Sequence, residues 1–142
     1  MKTTICTWIG ITGSFIAGLF GGWSSGMTTL LICMMIDYMT GLIIAGVFKR
    51  SPKSENGALE SRAGFKGLCR KGMVLLFVLI AYRLDLTLGT EYIRDAVVIG
   101  FISNEVISIV ENAGIMGVPV PKKLRRAIDM LKDKAETEEK ND

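Results

Sequence analysis

The chain has 142 residues, a mean hydropathy of +0.39 and a net charge of +3, and 49% of its residues are apolar. This length allows one domain. The apolar residues stand in runs of membrane-spanning length separated by charges, whereas a small soluble domain shows amphipathic periods. Composition therefore predicts an all-α, polytopic membrane protein and argues against a soluble enzyme.

Groups suited to catalysis or metal binding are scarce. The chain has no histidine, and its three cysteines, Cys6, Cys33 and Cys69, show neither metal-ligand nor disulfide spacing. We therefore predict no enzymatic activity, no catalytic residue, no metal and no cofactor. Nucleic acid is not an expected partner either, because the basic clusters flank apolar segments, where Lys and Arg mark the cytoplasmic side.

The first predicted span covers residues 5–22. A signal peptide is the alternative, but glycines interrupt the apolar run and no small-residue cleavage site precedes a soluble domain. Small residues form two ridges at four-residue spacing, a pattern that lets membrane helices approach closely. The ridges serve either packing against the second span or association between copies, and they contain Gly10, Ser14, Gly18 and Gly22, and Gly13, Ala17 and Gly21.

The second predicted span covers residues 27–48, about 33 Å of helix. Four residues separate it from the first, so the two spans are expected to form an antiparallel hairpin. Asp37 lies near its centre, where a carboxylate costs roughly 2.5–3.5 kcal/mol. It shares a face with Cys33, Gly41 and Ala45. We expect this face to point toward protein or water. Asp37 would then either make a structural hydrogen bond or take part in assembly and gating.

A basic connection follows at residues 49–71. Its first half reads as a loop, and its second half, residues 61–71, as a short interfacial helix. We expect its Lys and Arg side chains to meet anionic headgroups at the membrane surface. These residues are Lys49, Arg50, Arg62, Lys66, Arg70 and Lys71.

The third and fourth predicted spans cover residues 72–90 and 95–112, and both are marginal in length and polarity. One span plus a surface helix is the alternative. Four spans place both basic regions on the same side of the membrane, whereas three would send one outward against the positive-inside tendency. We therefore predict four spans with both termini cytoplasmic.

The fourth span carries a polar face, which we expect to be buried against other helices or to line water. Val98, Ile102 and Ile109 are assigned to the opposite face. The polar residues are Asn104, Glu105, Ser108, Glu111 and Asn112.

Residues 119–142 are predicted to form a cytoplasmic amphipathic helix and a charged tail. Leu124, Ala127, Ile128, Leu131 and Ala135 recur at three- and four-residue steps, so the helix should lie on the membrane surface. Residues 136–142 are expected to be disordered. The basic residues proposed to meet the headgroups here are Lys122, Lys123, Arg125 and Arg126.

Several short motifs, in this order, resemble the phage holin family that includes toxin-secretion and lysis holins, mostly of Gram-positive bacteria and their phages. They are Asp37-Tyr38-Met39-Thr40-Gly41, Ser61-Arg62-Ala63-Gly64-Phe65-Lys66-Gly67 with Arg70-Lys71, Asp85, Asn104 through Asn112, and Gly117-Val118-Pro119-Val120-Pro121 with Leu124. Each piece alone is weak, but the ordered set is specific. It runs from about residue 30 to residue 130, most of the chain.

The resemblance implies a protein that accumulates in the bacterial cytoplasmic membrane and then assembles into lesions. Such lesions admit an endolysin to the cell wall or release a large toxin. A homo-oligomer is expected on physical grounds too, because four packed helices fill their own centre with side chains. The next methionine after Met1 is Met27, so any antiholin is expected to be a separate protein.

Two other functions fit the same sequence. A small ion channel or transporter subunit would use Asp37 and Glu105 as an ion relay and would pass ions but not folded proteins. A non-conducting antiholin or membrane scaffold would dock partners through the basic loop and tail and would not permeabilise the membrane.

Overall fold

The computed structural model describes residues 1–140, which form five α-helices and no β-strand. The all-α prediction is confirmed. The helices are α1 (Lys2–Leu19), α2 (Ser25–Ile43), α3 (Ser61–Leu88), α4 (Ile93–Ile115) and α5 (Lys122–Lys140). A π-helical turn at Ile44–Phe48 extends α2.

Local sequence sets several of the helix ends. The Ser24 hydroxyl accepts a hydrogen bond from the backbone N–H of Met27 at 3.2 Å and so caps the start of α2. Gly21 and Gly22 carry the turn between α1 and α2 at φ of +81° and +90°, a backbone conformation that glycine adopts at little cost. Gly89 ends α3 in the left-handed conformation that is common after a helix.

The apolar core lies where α2, α3 and α4 meet. Met27, Leu30 and Met34 of α2 pack with Val78 of α3, and the α4 residues that complete the core are Val98 and Ile102. The spacing of three, four and seven residues along α2 and α4 places these side chains on one face of each helix. Three helices therefore form the bundle that positions the site described below.

The outside of the bundle is also apolar. Met35 and Met39 of α2 are 63% and 57% exposed, and Leu76, Phe77 and Ile80 of α3 are exposed as well. Water-soluble proteins rarely expose so much contiguous apolar surface. By length and composition, one helix of the described chain is apolar enough to cross a membrane, the 24 residues Ser25–Phe48. The four-span count stays a prediction.

The third helix differs from its prediction. Residues 61–71 and residues 72–90 were expected to form a separate interfacial helix and a span, but α3 is one continuous helix of 28 residues. No proline falls inside it, and a glycine such as Gly72 costs a helix only about 1 kcal/mol. Packing of α3 against α4 offsets such a cost, so the change from charged to apolar sequence does not break the helix.

The first helix contributes nothing to the core, since none of its residues is buried. A Cβ atom added at Gly10, Gly13 or Gly18 would meet no atom within 4 Å. Gly21 differs, because a Cβ atom there would collide with the Tyr82 ring. The two small-residue ridges are thus not packed against α2, and association between copies stays a prediction.

The C-terminal helix lies against α4. Ile128 is buried, Leu131 packs on the core, and the Ser103 hydroxyl donates to the Leu131 carbonyl oxygen at 3.4 Å. Part of the predicted amphipathic face, Ile128 and Leu131, is therefore turned toward α4, whereas Leu124 and Ala127 of that face are exposed. Residues 136–142 were expected to be disordered. This is wrong for residues 136–140, which continue the helix, whereas Asn141 and Asp142 lie outside the described residues.

Candidate functional site

Three charged side chains meet in the interior of the bundle, one from each of its helices. The Lys71 ammonium of α3 donates to Asp37 Oδ2 of α2 at 2.8 Å and to Glu105 Oε2 of α4 at 2.6 Å. The Lys71 side chain is 14% exposed, that of Asp37 6% and that of Glu105 8%. We call these three residues the charged cluster. It joins helices whose other contacts are mainly apolar.

Two uncharged polar residues complete the arrangement. Asn112 of α4 donates from Nδ2 to Asp37 Oδ1 at 3.2 Å and to the Thr40 hydroxyl at 2.8 Å. Thr40 in turn donates to the Ile36 carbonyl oxygen of its own helix at 2.8 Å. Asp37 therefore accepts hydrogen bonds from both α3 and α4, which fixes the rotation of α2 against its neighbours.

The charged cluster is not electrically neutral. Two carboxylates share one ammonium, so the fully ionised cluster carries a charge of −1. Asp37 lies at the middle of Ser25–Phe48, the helix long and apolar enough to cross a membrane. A lone carboxylate at that depth is costly, and its pairing with Lys71 reduces the cost for one copy of the chain. The cluster thus both holds the bundle and carries a charge that water would stabilise.

The polar face predicted for α4 needs correction. Glu105 and Asn112 are buried on the same side as Val98 and Ile102, which were assigned to the opposite face. Asn104 and Glu111 are exposed, and Ser108 lies between these extremes. Residues 98, 105 and 112 are seven positions apart, nearly two helical turns, and so they point the same way. Residues 104 and 111 are turned by about 100° from that direction.

Lys71 was placed among the basic residues at the membrane surface, and this is wrong. Its ammonium lies between Asp37 and Glu105 and is largely buried. The predicted boundary between residues 71 and 72 put Lys71 outside the third span. One signal was available in the sequence: Asp37 and Glu105 lie within predicted spans, and Lys71 is the basic residue that immediately precedes the third one.

A cavity of about 210 Å³ opens beside the charged cluster. Asp37, Lys71 and Glu105 line its inner end, together with Asn104 and Ser108. The loop between α2 and α3 and the first turns of α3 form its mouth, which Lys53, Glu60 and Arg70 line. The cluster is thus reachable from the side that carries the basic connection.

A second polar group lies at the opposite end of the bundle. The buried Asp85 carboxylate of α3 accepts hydrogen bonds from the Thr90 hydroxyl at 2.6 Å and from the backbone N–H groups of Ile93 and Arg94 at 3.0 and 2.9 Å. It therefore caps the start of α4 from the preceding helix. Asp85 was noted only as part of the family pattern, because a cap supplied from another helix leaves no local sequence signal.

Arg94 joins this group to the first helix. Its guanidinium donates to the carbonyl oxygens of Phe20 and Gly21 at 2.8 and 3.0 Å and lies 6.0 Å from the centre of the Tyr82 ring. These hydrogen bonds satisfy carbonyl groups at the end of α1, which otherwise lack partners. The turn between α1 and α2 is thereby fixed to α4.

The remaining predicted residues do not join either polar group. Gly41 and Arg70 line the cavity next to the charged cluster without hydrogen bonds to it among residues 1–140. Arg62 and Lys66 are exposed on the first turns of α3. The other basic residues predicted at the membrane surface are exposed as well, and they are Lys49, Arg50, Lys122, Lys123, Arg125 and Arg126.

Comparison of the sequence with protein-family models assigns the chain to a family. The model of the bacteriophage holin family matches residues 14–133, most of the chain and the whole of both polar groups. The chain belongs to the bacteriophage holin family. The ordered motifs from Asp37 to Leu124 thus lie inside the matched region, and membership of this family implies a membrane protein.

Individual relatives agree with this assignment. An uncharacterized protein of Halalkalibacterium halodurans is 41% identical over 128 residues, covering 86% of this chain and 89% of the relative. An uncharacterized 14.9 kDa protein in the nagH 3′ region of Clostridium perfringens is 37% identical, with 86% and 88% covered. A probable holin of Bacillus phage phi105 is 30% identical, with 80% and 79% covered. No solved structure gave a significant match.

Proposed function

We propose that this holin-family chain accumulates in the bacterial cytoplasmic membrane and assembles into lesions through which an endolysin or a large toxin crosses. The observation that carries the proposal is the charged cluster, which is buried inside a bundle with an apolar outer surface. Such a chain can reside in lipid as single copies, yet it holds polar groups suited to water. The phage relative named probable holin supports the same function.

The charged cluster suggests how the two states differ. In a single copy, Lys71 neutralises one carboxylate, and Asn112, which also donates to the Thr40 hydroxyl, donates to the Asp37 carboxylate. In a large assembly, helices of neighbouring copies supply the apolar contacts and the cluster turns toward a lumen. Water then solvates both carboxylates, and the ion pairs contribute little because exposed pairs are weak. The cluster favours the closed bundle in lipid and permits the open arrangement in water.

The proposed topology has four spans, α1 to α4, with both termini in the cytoplasm. It places the basic connection and α5 on the cytoplasmic side, as the positive-inside tendency requires. No chemical reaction is part of the proposed function. The endolysin or toxin is a separate protein.

The direct test is inducible expression of the chain alone in a bacterial host, with and without a co-expressed endolysin. We expect release of a large cytoplasmic enzyme only when both proteins are present, after a delay during which growth continues. Expression of the chain alone should stop growth at the same time, and membrane depolarisation should coincide with that arrest.

The other two functions give different results in this experiment. A small ion channel depolarises the membrane but never lets a folded endolysin reach the wall. An antiholin or scaffold causes neither depolarisation nor enzyme release. Either result would overturn the proposal, provided that immunoblotting shows the chain in the membrane fraction.

A further inference from the structure

The cavity beside the charged cluster has the features of a binding site that the lesion mechanism does not use. We propose that its mouth binds the phosphate of an anionic phospholipid headgroup. We call it the headgroup cavity, and its mouth is formed by Ser51, Lys53, Ser54, Glu60 and Arg70. The inference rests on the membrane placement of the chain but not on lesion formation.

Charge at the mouth favours an anion. Lys53 and Arg70 line it, and neither makes a salt bridge within residues 1–140, where the ion pairs involve Lys71 and Arg94. Glu60 is the opposing charge at the mouth. The inner end carries a net charge of −1, because Asp37 and Glu105 share Lys71, so the anion is placed at the mouth and not beside the charged cluster. Arginine in particular matches the geometry of a phosphate through paired hydrogen bonds.

Uncharged donors lie at the same place. Ser54 lines the mouth, but its hydroxyl oxygen is covered by protein and has no hydrogen-bond partner in the described part of the chain, so it is not counted as a donor to the ligand. The N-terminal end of α3 also faces the cavity through Ala63 and Gly64, and no side chain caps it. The first-turn N–H groups of a helix, here one of 28 residues, favour a negative group. The mouth thus combines two cations that lack ion pairs with a helix start that no side chain caps.

Size and surroundings select a lipid over a free ion. The volume of about 210 Å³ is far larger than the roughly 10–15 Å³ that one enclosed water needs, so the cavity has room for a phosphate and part of a glycerol. Leu42 and Leu59 line the cavity and remain exposed, which gives acyl chains an apolar path away from the mouth. Basic pockets between membrane helices commonly hold anionic headgroups.

Headgroup binding would also reach the charged cluster. Lys71 lines the same cavity, so an anion at the mouth adds negative charge next to the ammonium that joins Asp37 and Glu105. Lipid composition would then influence how firmly the cluster holds α2, α3 and α4 together.

The test uses the full-length chain in a neutral detergent. Dioctanoyl phosphatidylglycerol is titrated into it and followed by calorimetry, with dioctanoyl phosphatidylcholine and inorganic phosphate as parallel ligands. We expect saturable binding of phosphatidylglycerol at one site per chain, weaker binding of phosphate and no comparable binding of phosphatidylcholine. Arg70→Gln should weaken lipid binding about tenfold, as expected for loss of a charge-assisted hydrogen bond.

A matched control separates a site from general attraction to basic surface. Lys66→Gln removes the same charge from the same helix but does not line the cavity, and it should change binding by less than about twofold. Glu60→Gln should bind as tightly as the natural chain or more tightly. Equal losses in Arg70→Gln and Lys66→Gln would overturn the proposal.

The ligand comparison gives two further contradictory outcomes. If phosphate binds as tightly as phosphatidylglycerol, the assignment to lipid is overturned. If phosphatidylcholine binds as tightly as phosphatidylglycerol, the anionic specificity is overturned. Enzyme release during induced expression is measured separately. The failure of the headgroup site can therefore be distinguished from the failure of the proposed function.

Discussion

Lys71 is the residue on which the interior of the bundle depends most. It bonds to two carboxylates from two other helices, and among the described ion pairs no other cation contacts Asp37 or Glu105. Removal of one partner from a buried ion pair is costly because the remaining charge loses its compensation. Here the removal of one ammonium would leave two carboxylates uncompensated.

The substitution Lys71→Met keeps much of the side-chain length and removes the charge. We expect it to lower the free energy of unfolding by about 3–5 kcal/mol, because two buried carboxylates are left facing each other. Unfolding by sodium dodecyl sulfate of the detergent-solubilised chain measures this change.

Lys66→Met is the matched control on the same helix. Lys66 is exposed and outside the charged cluster, so its substitution should change the free energy of unfolding by less than about 0.5 kcal/mol. Equal effects of the two substitutions would show that the cluster does not hold the bundle together.

Sequence reasoning identified Asp37 and Glu105 but not what they contact. A carboxylate within an apolar run is conspicuous because of its cost in lipid, whatever its neighbours are. The partner comes from a distant segment, and Asp37 and Lys71 are 34 positions apart in the chain. The prediction that the polar residues of α4 share one face was also wrong, because Glu105 and Asn112 are buried whereas Asn104 and Glu111 are exposed.

At the scale of the helices, the connection between α3 and α4 is the most firmly fixed. Asp85 accepts three hydrogen bonds across it, two of them from backbone N–H groups at the start of α4. Because Arg94 also holds the end of α1, this connection sets the position of three helices at that end of the bundle.

We expect Asp85→Ala to lower the free energy of unfolding by about 1–2 kcal/mol, the range for loss of a helix cap. The same detergent unfolding experiment measures it. Asp95→Ala serves as the control, since Asp95 is acidic, lies in the first turn of α4 and has a side chain 62% exposed. Its pair with Arg94 is near the surface and should contribute less than about 1 kcal/mol. A loss at Asp95 as large as that at Asp85 would contradict the capping role.

The helices themselves were largely predictable from the apolar runs. The predicted spans 5–22, 27–48 and 95–112 overlap α1, α2 with its π-helical turn, and α4. The third predicted span begins too late, at residue 72, whereas α3 begins at Ser61. Hydropathy marks where a helix is apolar, not where it begins. The contact of α5 with α4 could not be predicted, since the same amphipathic face suits a membrane surface or another helix.

The whole molecule has an apolar outer surface around a charged interior. Its core is small, and large apolar side chains such as Trp8, Phe15 and Met35 are exposed. This distribution suits a chain surrounded by lipid or by other copies of itself. The family assignment and the charged cluster then support one account, in which a bundle stable in lipid opens its interior to water on assembly.

The account is tested most directly by the onset of enzyme release in cells that express an endolysin and either the natural chain or Asp37→Asn. This substitution keeps the shape of the side chain but leaves Lys71 and Glu105 as a neutral pair, so the cluster loses the excess charge that favours contact with water. With membrane levels matched by immunoblotting, we expect release to begin later, while the exposed control Glu111→Gln keeps the natural timing. If Asp37→Asn changes neither the onset nor the extent of release, the charged cluster does not control lesion formation.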